Sequence, residues 1–491
     1  MTEIKTHNGR SKWASPLARQ CFVTSGVALN MMNHMMVLGF PSALLPQLRD
    51  NHFIEIDDTS TSWIVSVVGF GLITGMLLVP IIADKCGRKT INLIAAITST
   101  LGWAIICSAT ATHTFITVRY IQSVANGLTA IIGPVLVAEC TSPINRGAFL
   151  ATLTTSFAVG IFLVHITGSC LSWQKSALIC GCISFVDIVI IFFSPESPLY
   201  LAKKGKYEEC KHSFRWLKGD NENEELEKMI KKAISEREQV DEARRLSSTL
   251  NWTKKILNKC VTTLKRREFY KPVIIMLHLQ GINVYCGVVL FDVFAIDILH
   301  TLVGSDVNIP LILSSLDLQA IITNILSILL VKKFRRKRVL MFCVSLTITA
   351  YLLISGYSYL RMEKMLPFDY PIVGILLSHL HLAAIYTGCV AMPNIIAGEI
   401  FPFKYKGIGG MISQIIFSTN LSITLKVLPY LFSSIGLPGA YGVLVLLLSY
   451  SLTVSIITLP ETKDKTLQDI EDIFRGSNSR IDQKMELNEL V

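Results

Sequence analysis

Two short stretches of this 491-residue chain place an acid and a base at the same spacing. In ECTSPINRG, Glu139 comes seven residues before Arg146, and in EIFPFKYKG, Glu399 comes seven residues before Lys406. Both stretches adjoin long apolar runs, where opposite charges can pair at the ends of helices. The copies lie about half a chain length apart, which indicates an internal duplication. No nucleophile–base pair or metal-binding cluster stands out in the sequence, so the pattern favours ion pairing over catalysis.

The composition is that of a membrane protein. Apolar residues make up 51% of the chain, charged residues make up 17%, and the mean hydropathy is +0.49, which excludes an ordinary soluble globular chain. The net charge of +10 is compatible with nucleic acid or anionic lipid as partner, but the basic residues cluster between apolar runs, which favours membrane orientation. Most of the twelve cysteines lie inside apolar runs, and none forms a CxxC pair. Neither a disulfide framework nor a metal site nor a cofactor is predicted.

Twelve apolar runs are long enough to cross a bilayer, because a membrane helix needs about 20 mostly apolar residues. A long polar stretch of good helix formers separates the sixth run from the seventh and favours a helical linker on the surface. The sequence therefore predicts an all-α protein with twelve transmembrane helices. The predicted spans are 18–45, 61–83, 91–110, 114–138, 148–171, 175–193, 271–299, 309–331, 338–359, 371–397, 408–433 and 438–459.

These spans divide the chain into five predicted regions. Two six-helix bundles are joined by the helical linker and flanked by two polar tails. In chain order the regions are an N-terminal tail (1–17), a first bundle (18–193), the linker (194–270), a second bundle (271–460) and a C-terminal tail (461–491).

The links between the spans differ in charge. The link after the second span carries Lys85, Arg88 and Lys89, and the link after the eighth carries KKFRRKR, whereas RDNHFIEIDD after the first span is net acidic. Because basic residues concentrate in the cytoplasmic loops of membrane proteins, both termini and the linker are predicted to be cytoplasmic. No retention or organelle address is evident, so the plasma membrane is the predicted location.

Five motifs follow one another at the ends of the predicted spans. They resemble the motifs of the sugar porters in the major facilitator superfamily, and within that family the arthropod trehalose and glucose facilitators. The resemblance extends from about Leu38 to Phe474 and implies two pseudo-symmetric bundles that rock around a binding site near mid-membrane. The motifs are DKCGRK (84–89), PVLVAECTSPINRG (134–147), PESPLYL (195–201), EIFPFKYKG (399–407) and PETKDKTLQDIEDIF (460–474).

The charges of these motifs lie where the spans end on the predicted cytoplasmic side. Our hypothesis is that pairs across the two halves latch this side while the site faces outward, and that opening inward breaks them. An exposed pair contributes only about 0–1 kcal/mol, so a latch needs several. The alternative is that the charges only anchor helix ends and set topology. The predicted gating charges are Asp84, Arg88, Glu139, Arg146, Glu196, Glu399, Lys406 and Glu461.

Polar side chains inside the spans are the candidates for a sugar site, because a sugar needs hydrogen-bond partners along a cavity. The resemblance implies that Asn283, in the segment GIN, and Asn420 bind sugar, and Thr154 stands where many glucose facilitators hold glutamine. Taken singly, each polar residue is more simply explained by a hydrogen bond between helices. The predicted substrate-binding residues are His278, Gln280, Asn283, Gln319, Asn394, Asn420 and Thr154.

The chain departs from the family pattern at several sites. Leu277 and His278 replace the paired glutamines before GIN, and Asn394 replaces the tryptophan of the tenth span. The motif after the eighth span has lost its acid, so the second-half copy of the latch is not expected to form in its usual way. These departures leave the substrate open.

The mode of transport follows from the first span. Proton-linked sugar porters carry an acid there, and this chain has Gly39-Phe40-Pro41 at the matching place. Asp187 and Asp292 are the clearest acids within spans, and neither matches the coupling position of the family. The sequence predicts facilitative uniport of a sugar such as trehalose or glucose, without enzymatic activity. The alternatives are a carrier of another small solute and a non-transporting sugar sensor.

Overall fold

A computed structural model describes residues 15–51, 57–219, 222–246, 266–304, 307–366, 370–402, 405–463, 465 and 467–475. Every regular element in these residues is helical, which confirms the predicted all-α class. The first half of the protein comprises α1 (Pro16–Gly39), α2 (Pro41–Asn51), α3 (Asp58–Cys86), α4 (Arg88–Cys107), α5 (Thr112–Cys140), α6 (Pro143–Cys170) and α7 (Trp173–Phe193).

Three helices follow the first half within residues 194–246, and they are α8 (Pro198–Lys203), α9 (Tyr207–Lys218) and α10 (Asn223–Leu246). The second half comprises α11 (Arg267–Tyr285), α12 (Val288–Val303), α13 (Ile309–Lys333), α14 (Arg336–Met362), α15 (Pro371–Ala384), a π-helical turn (Ile385–Cys389), α16 (Ala391–Ile400) and α17 (Lys406–Thr458). A final helix, α18 (Leu467–Arg475), packs on α11 and α16.

Eleven of the described stretches are long and apolar enough to cross a membrane. The last of them, Gly407–Thr458, has 52 residues, and at about 1.5 Å per residue it is more than twice as long as the apolar core of a bilayer is thick. Its backbone breaks at Gly436, where φ is 66° and ψ is −177°, a conformation that only glycine adopts readily. The chain therefore makes the twelve crossings that the sequence predicts.

The ends of the helices gather on two faces of the molecule. The terminal face is defined by the start of α1 and the ends of α3, α5, α7, α13 and α16. The opposite face holds α2 and the end of α12, where Arg49 and Asp297 form an ion pair of 3.0 Å between the halves. At the terminal face, a Cβ added to Gly147, Gly398 or Gly410 would meet no atom within 4 Å. The ion pair therefore joins the two halves at the opposite face, and these three glycines have open space beside them at the terminal face.

A buried arginine supports the break in the first crossing. Pro41 has no N–H, so the carbonyl oxygen of Val37 loses the donor that would continue helix α1. The Arg119 side chain, only 1% exposed, supplies a replacement by donating from Nη1 to Val37 O at 2.7 Å and from Nε to Ile64 O at 2.9 Å. Arg119 therefore ties α5 to the bend between α1 and α2 and to α3 through backbone carbonyls.

Small residues bring α3 and α5 into close contact. A Cβ added to Gly75 would overlap the carbonyl oxygen of Val124, and a Cβ added to Gly127 would overlap the carbonyl oxygen of Leu72. Such close approach of two backbones is the usual way in which membrane helices gain packing energy, since lipid gives them no hydrophobic driving force to associate.

The described part of the predicted linker packs on the terminal face of the first half. Arg19 donates to the carbonyl oxygen of Trp216 at 3.0 Å, and Ser142 Oγ donates to Glu222 Oε1 at 2.8 Å. Burial acts to raise the pKa of Glu222, but the hydrogen bond from Ser142 and the ion pair with Lys218 at 3.2 Å outweigh it, so this pKa lies below its usual value. Near neutral pH the carboxylate is charged and holds the linker to the loop before α6.

Candidate functional site

The predicted charges of the first half form one network at the terminal face. Glu196 Oε1 accepts hydrogen bonds from the backbone N–H groups of Arg88 at 3.0 Å and Lys89 at 3.1 Å, so it caps the start of α4. Arg88 Nε lies 3.6 Å from Glu139 Oε2, and Ser197 Oγ donates a short hydrogen bond to the same oxygen. The ends of α5 and α7 are thereby joined to the start of α4, and Arg88 Nη1 also donates to the carbonyl oxygen of Ala83 on α3 at 2.8 Å.

Gly87 makes room for this cap. Its φ of 88° lies in the left-handed region, and a Cβ at this position would overlap Oε2 of Glu196. Only glycine meets both demands without strain.

The second half repeats the network with different residues. Glu461 accepts from the backbone N–H groups of Arg336 at 3.1 Å and Lys337 at 3.4 Å, and so caps α14. Arg336 Nη2 lies 3.2 Å from Glu399 Oε1, and Thr462 Oγ1 donates to Glu399 Oε2 at 2.6 Å. The pair Ser197 and Thr462, which the sequence analysis did not single out, could have been found from the repeated Pro-Glu-Ser and Pro-Glu-Thr triplets.

The lost acid after the eighth span does not prevent this second network. In the first half, the corresponding acid Asp84 is exposed and makes no ion pair with a described residue. The ion pairs instead use Arg88 with Glu139, and Arg336 with Glu399. Arg336 comes from the basic run KKFRRKR, so the base is retained although the acid is missing.

Each of these ion pairs joins helices of the same half. Arg146 donates to the carbonyl oxygen of Thr141 at 3.5 Å and makes no ion pair in the described part of the chain. The side chain of Lys406 lies outside the described side chains. The predicted spacing of Glu139 before Arg146 therefore does not form a pair in this structure, and a latch between the halves stays a hypothesis.

Three of the predicted substrate-binding residues come together between α11 and the first crossing of α17. Gln280 Nε2 donates to Ser413 Oγ at 2.9 Å, and Asn283 Nδ2 donates to Gln280 Oε1 at 3.2 Å. One turn away, Tyr285 Oη donates to Asn420 Oδ1 at 2.7 Å. We call these amides and hydroxyls the polar strip; Gln280 and Asn283 are 0% and 4% exposed, and the groups are of the kind that a polyol binds.

The other four predicted binding residues lie elsewhere. His278 faces away from Gln280, with Nδ1 2.9 Å from the carbonyl oxygen of Ile274 and its ring 5.5 Å from that of Tyr450, which is 62% exposed. Gln319 bonds to His379 on α15, where its Nε2 donates to the carbonyl oxygen at 2.9 Å. Neither side chain reaches the strip.

Thr154 and Asn394 are exposed at membrane depth. Thr154 Oγ1 donates to Ala151 O at 2.8 Å, and Asn394 Nδ2 donates to Val390 O at 3.1 Å, so within the described part of the chain each side chain bonds to the preceding turn of backbone. Asn324 Nδ2 lies 3.4 Å from the carbonyl oxygen of Thr154 and links α13 to α6. The side chains of Thr154 and Asn394 each keep further hydrogen-bonding capacity.

A twelve-crossing helical protein with duplicated charge networks at one face and a polar strip at mid-depth belongs to the class of major-facilitator transporters. Comparison with known proteins agrees. Residues 21–474 match the family model "Sugar (and other) transporter". The chain therefore belongs to this family of multi-pass membrane transporters.

Curated relatives are distant but cover nearly the whole chain. A facilitated trehalose transporter of Culex quinquefasciatus is 24% identical over 95% of this chain and 88% of its own length. A facilitated glucose transporter of Mus musculus, member 8 of solute carrier family 2, is 23% identical over 94% of this chain and 96% of its own length. Among solved structures, the inward-open xylose transporter XylE from E. coli matches with a TM-score of 0.70 at 15% identity, over 93% of this chain and 99% of that one.

Proposed function

We propose that this protein is a facilitative sugar carrier that moves a hexose or a disaccharide such as trehalose across the plasma membrane by alternating access. The observation that carries the proposal is the polar strip of Gln280, Asn283 and Asn420 between α11 and α17. The names of the relatives, a trehalose transporter and a glucose transporter, support a sugar as the solute.

Uniport is supported by the surroundings of the buried arginine. Arg119 bonds to the backbone carbonyl oxygens of Val37 and Ile64, which do not titrate. An acid in this place would take up and release protons with the transport cycle, whereas carbonyl partners leave the arginine charge constant. We propose that both termini and α8–α10 face the cytoplasm, in keeping with the basic links on that side.

Asn283→Ala is expected to lower kcat/KM for sugar uptake about tenfold or more, because one or two hydrogen bonds to a sugar are each worth about 1–1.5 kcal/mol. The measurement is uptake of labelled glucose and trehalose in cells that lack sugar transport, at two external pH values. His278→Ala is the matched control, since this residue lies on the same helix but against Tyr450. It is expected to retain uptake.

Two other functions would give different results. Uptake of neither sugar, with normal amounts of protein at the cell surface, would favour a carrier of another solute or a non-transporting sensor. Asn394 in place of the family's tryptophan favours the first of these, because loss of an aromatic surface weakens stacking on a sugar ring. A solute screen in the same cells separates the two: uptake identifies a carrier, and sugar binding without uptake identifies a sensor.

A further inference from the structure

A buried cluster of titratable groups joins the two halves between the middle of the membrane and the opposite face. His165, on α6 of the first half, places Nδ1 2.9 Å from Asp317 Oδ2 on α13 and Nε2 3.0 Å from the carbonyl oxygen of Asp292 on α12. Tyr386 Oη, in the π-helical turn, lies 3.4 Å from Asp292 Oδ1. Asp292 is one of the clearest acids within the predicted spans, whereas Asp317, within the predicted span 309–331, was not predicted to have a role.

The cluster is shielded from water. The His165 side chain has no exposed surface, and Asp317 and Asp292 are 4% and 1% exposed. Asp292 Oδ2 has no hydrogen-bond partner among the described residues. A buried ion without compensation is costly, so such groups pair or become neutral.

Charge balance fixes the protons of the closed cluster. A charged imidazole of His165 balances the negative charge of the Asp317 carboxylate. Asp292 then has no positive charge to balance its own. With Asp292 ionised the cluster would carry a net charge of −1 in a membrane interior. With Asp292 protonated the net charge is zero, and no carboxylate lies without a cationic partner.

The neighbouring elements bring no other charge to the cluster within the described residues. Phe291 packs edge-on against His165, at 6.5 Å between ring centroids, and Gly39 of α1 lies next to the carbonyl oxygen of Asp292. His379 also contacts α13, but through Ser315 and Gln319, about half a helical turn away from Asp317.

We propose that His165, Asp317 and Asp292 form a proton-binding site shared by the two halves, and that protons bind there when the opposite face closes. Opening the opposite face separates α6 from α12 and α13 and exposes all three groups to water. Between about pH 4.5 and 6, closing it transfers one proton from that water to the carboxylate of Asp292, which changes the charge of the cluster from −1 to zero. On opening, the proton returns to the same side, so the cycle carries no net proton flux.

The direction of the pH effect follows from this balance. In water, aspartate titrates near about pH 3.9 and histidine near about 6.5. Between about pH 4.5 and 6 the open cluster therefore holds a charged histidine and two carboxylates, and closure takes up one proton. Acid favours the closed state, by about tenfold per pH unit for one proton.

Two variants should change this slope in opposite directions. Asp292→Asn removes the carboxylate that needs a proton, so the slope between pH 4.5 and 6 is expected to vanish. His165→Gln removes the cation, so two carboxylates must be neutralised, and the slope is expected to rise to about a hundredfold per pH unit. Asp187→Asn is the matched control, because Asp187 is also 1% exposed but lies on α7, within the first half. It is expected to leave the slope unchanged.

Trp63 reports on the opposite face without any substrate. It lies on α3, and Lys426 Nζ of α17 stands 3.5 Å from the centroid of its ring, so separation of the halves removes this contact. The experiment records tryptophan fluorescence of the purified full-length protein in lipid nanodiscs from pH 4.5 to 8.5. The Trp63 signal is the difference between each protein and the same protein with Trp63→Phe.

A Trp63 signal that does not change over this range, or that changes equally in wild type, Asp292→Asn and His165→Gln, would overturn the proposal. The inference rests on the proposed alternating-access function, yet the fluorescence test needs no sugar. A normal pH response together with absent sugar uptake would refute the proposed substrate and keep the proton site. Uptake that collapses with a protonophore would show net proton flux and overturn the return of the proton to the same side.

Discussion

Gly75→Ala is expected to prevent the chain from reaching a stable fold in the membrane. Alanine in place of glycine usually stabilises a helix by up to about 1 kcal/mol. Here the new methyl group would overlap the carbonyl oxygen of Val124, which is backbone and has no rotamer to move into. Moving α3 from α5 would also break the contact of Gly127 with Leu72, so we expect a loss of about 3 kcal/mol or more.

The matched control is the same substitution at Gly147 of α6, where a Cβ meets nothing within 4 Å. Gly147→Ala is expected to equal the wild type or to exceed it slightly. Both variants are compared by thermal unfolding in detergent and by the yield of monodisperse protein. Equal stability of the two would show that α3 and α5 do not pack as closely as the structure has them.

Arg146→Gln is expected to reduce sugar uptake about tenfold while leaving the folded yield unchanged. In this structure Arg146 makes no ion pair with a described residue, so its charge adds little to the stability of this state. If the halves latch at the terminal face in another state, the charged guanidinium of Arg146 is the group that would pair with Glu399 across the halves. Loss of that pair would destabilise the state in which the terminal face is closed by about 1 kcal/mol or more.

The two interpretations of the motif charges predict different outcomes here. If the charges only anchor helix ends, Arg146→Gln should behave like Lys175→Gln, a control at an exposed lysine on the opposite face. If they form a latch, the single variant should lose uptake. Full activity of Arg146→Gln would leave anchoring as the role of this residue.

If the halves do latch, the intra-half networks would let the latch open without unfolding either half. Glu139 and Glu399 are each held by an arginine and a hydroxyl of their own half. Each half can therefore move as a unit, since its helix ends stay joined when contacts across the gap break. A base from the other half would pair with the remaining oxygen or lone pair of each carboxylate.

Some features of the fold can be predicted from the sequence because they depend on local chemistry. Long apolar runs must form helices in lipid, where every backbone N–H and C=O needs a partner within the segment. The same reasoning places the motif charges at helix ends, where the structure has Glu196 and Glu461 as caps. The pairing of Gln280 with Asn283 also follows from a three-residue spacing on one helix.

Which groups meet across helices depends on how each helix is rotated and tilted, and the sequence does not state this. Glu139 precedes Arg146 by seven residues, yet α5 ends at Cys140 and α6 begins at Pro143, so the two side chains belong to different helices and Glu139 pairs with Arg88. His278 lies two residues from Gln280 but points to the other side of α11. His165 and Asp317 are 152 residues apart and meet only because α6 and α13 pack together between the two halves. Burial there makes an unpaired charge costly, so the two groups pair.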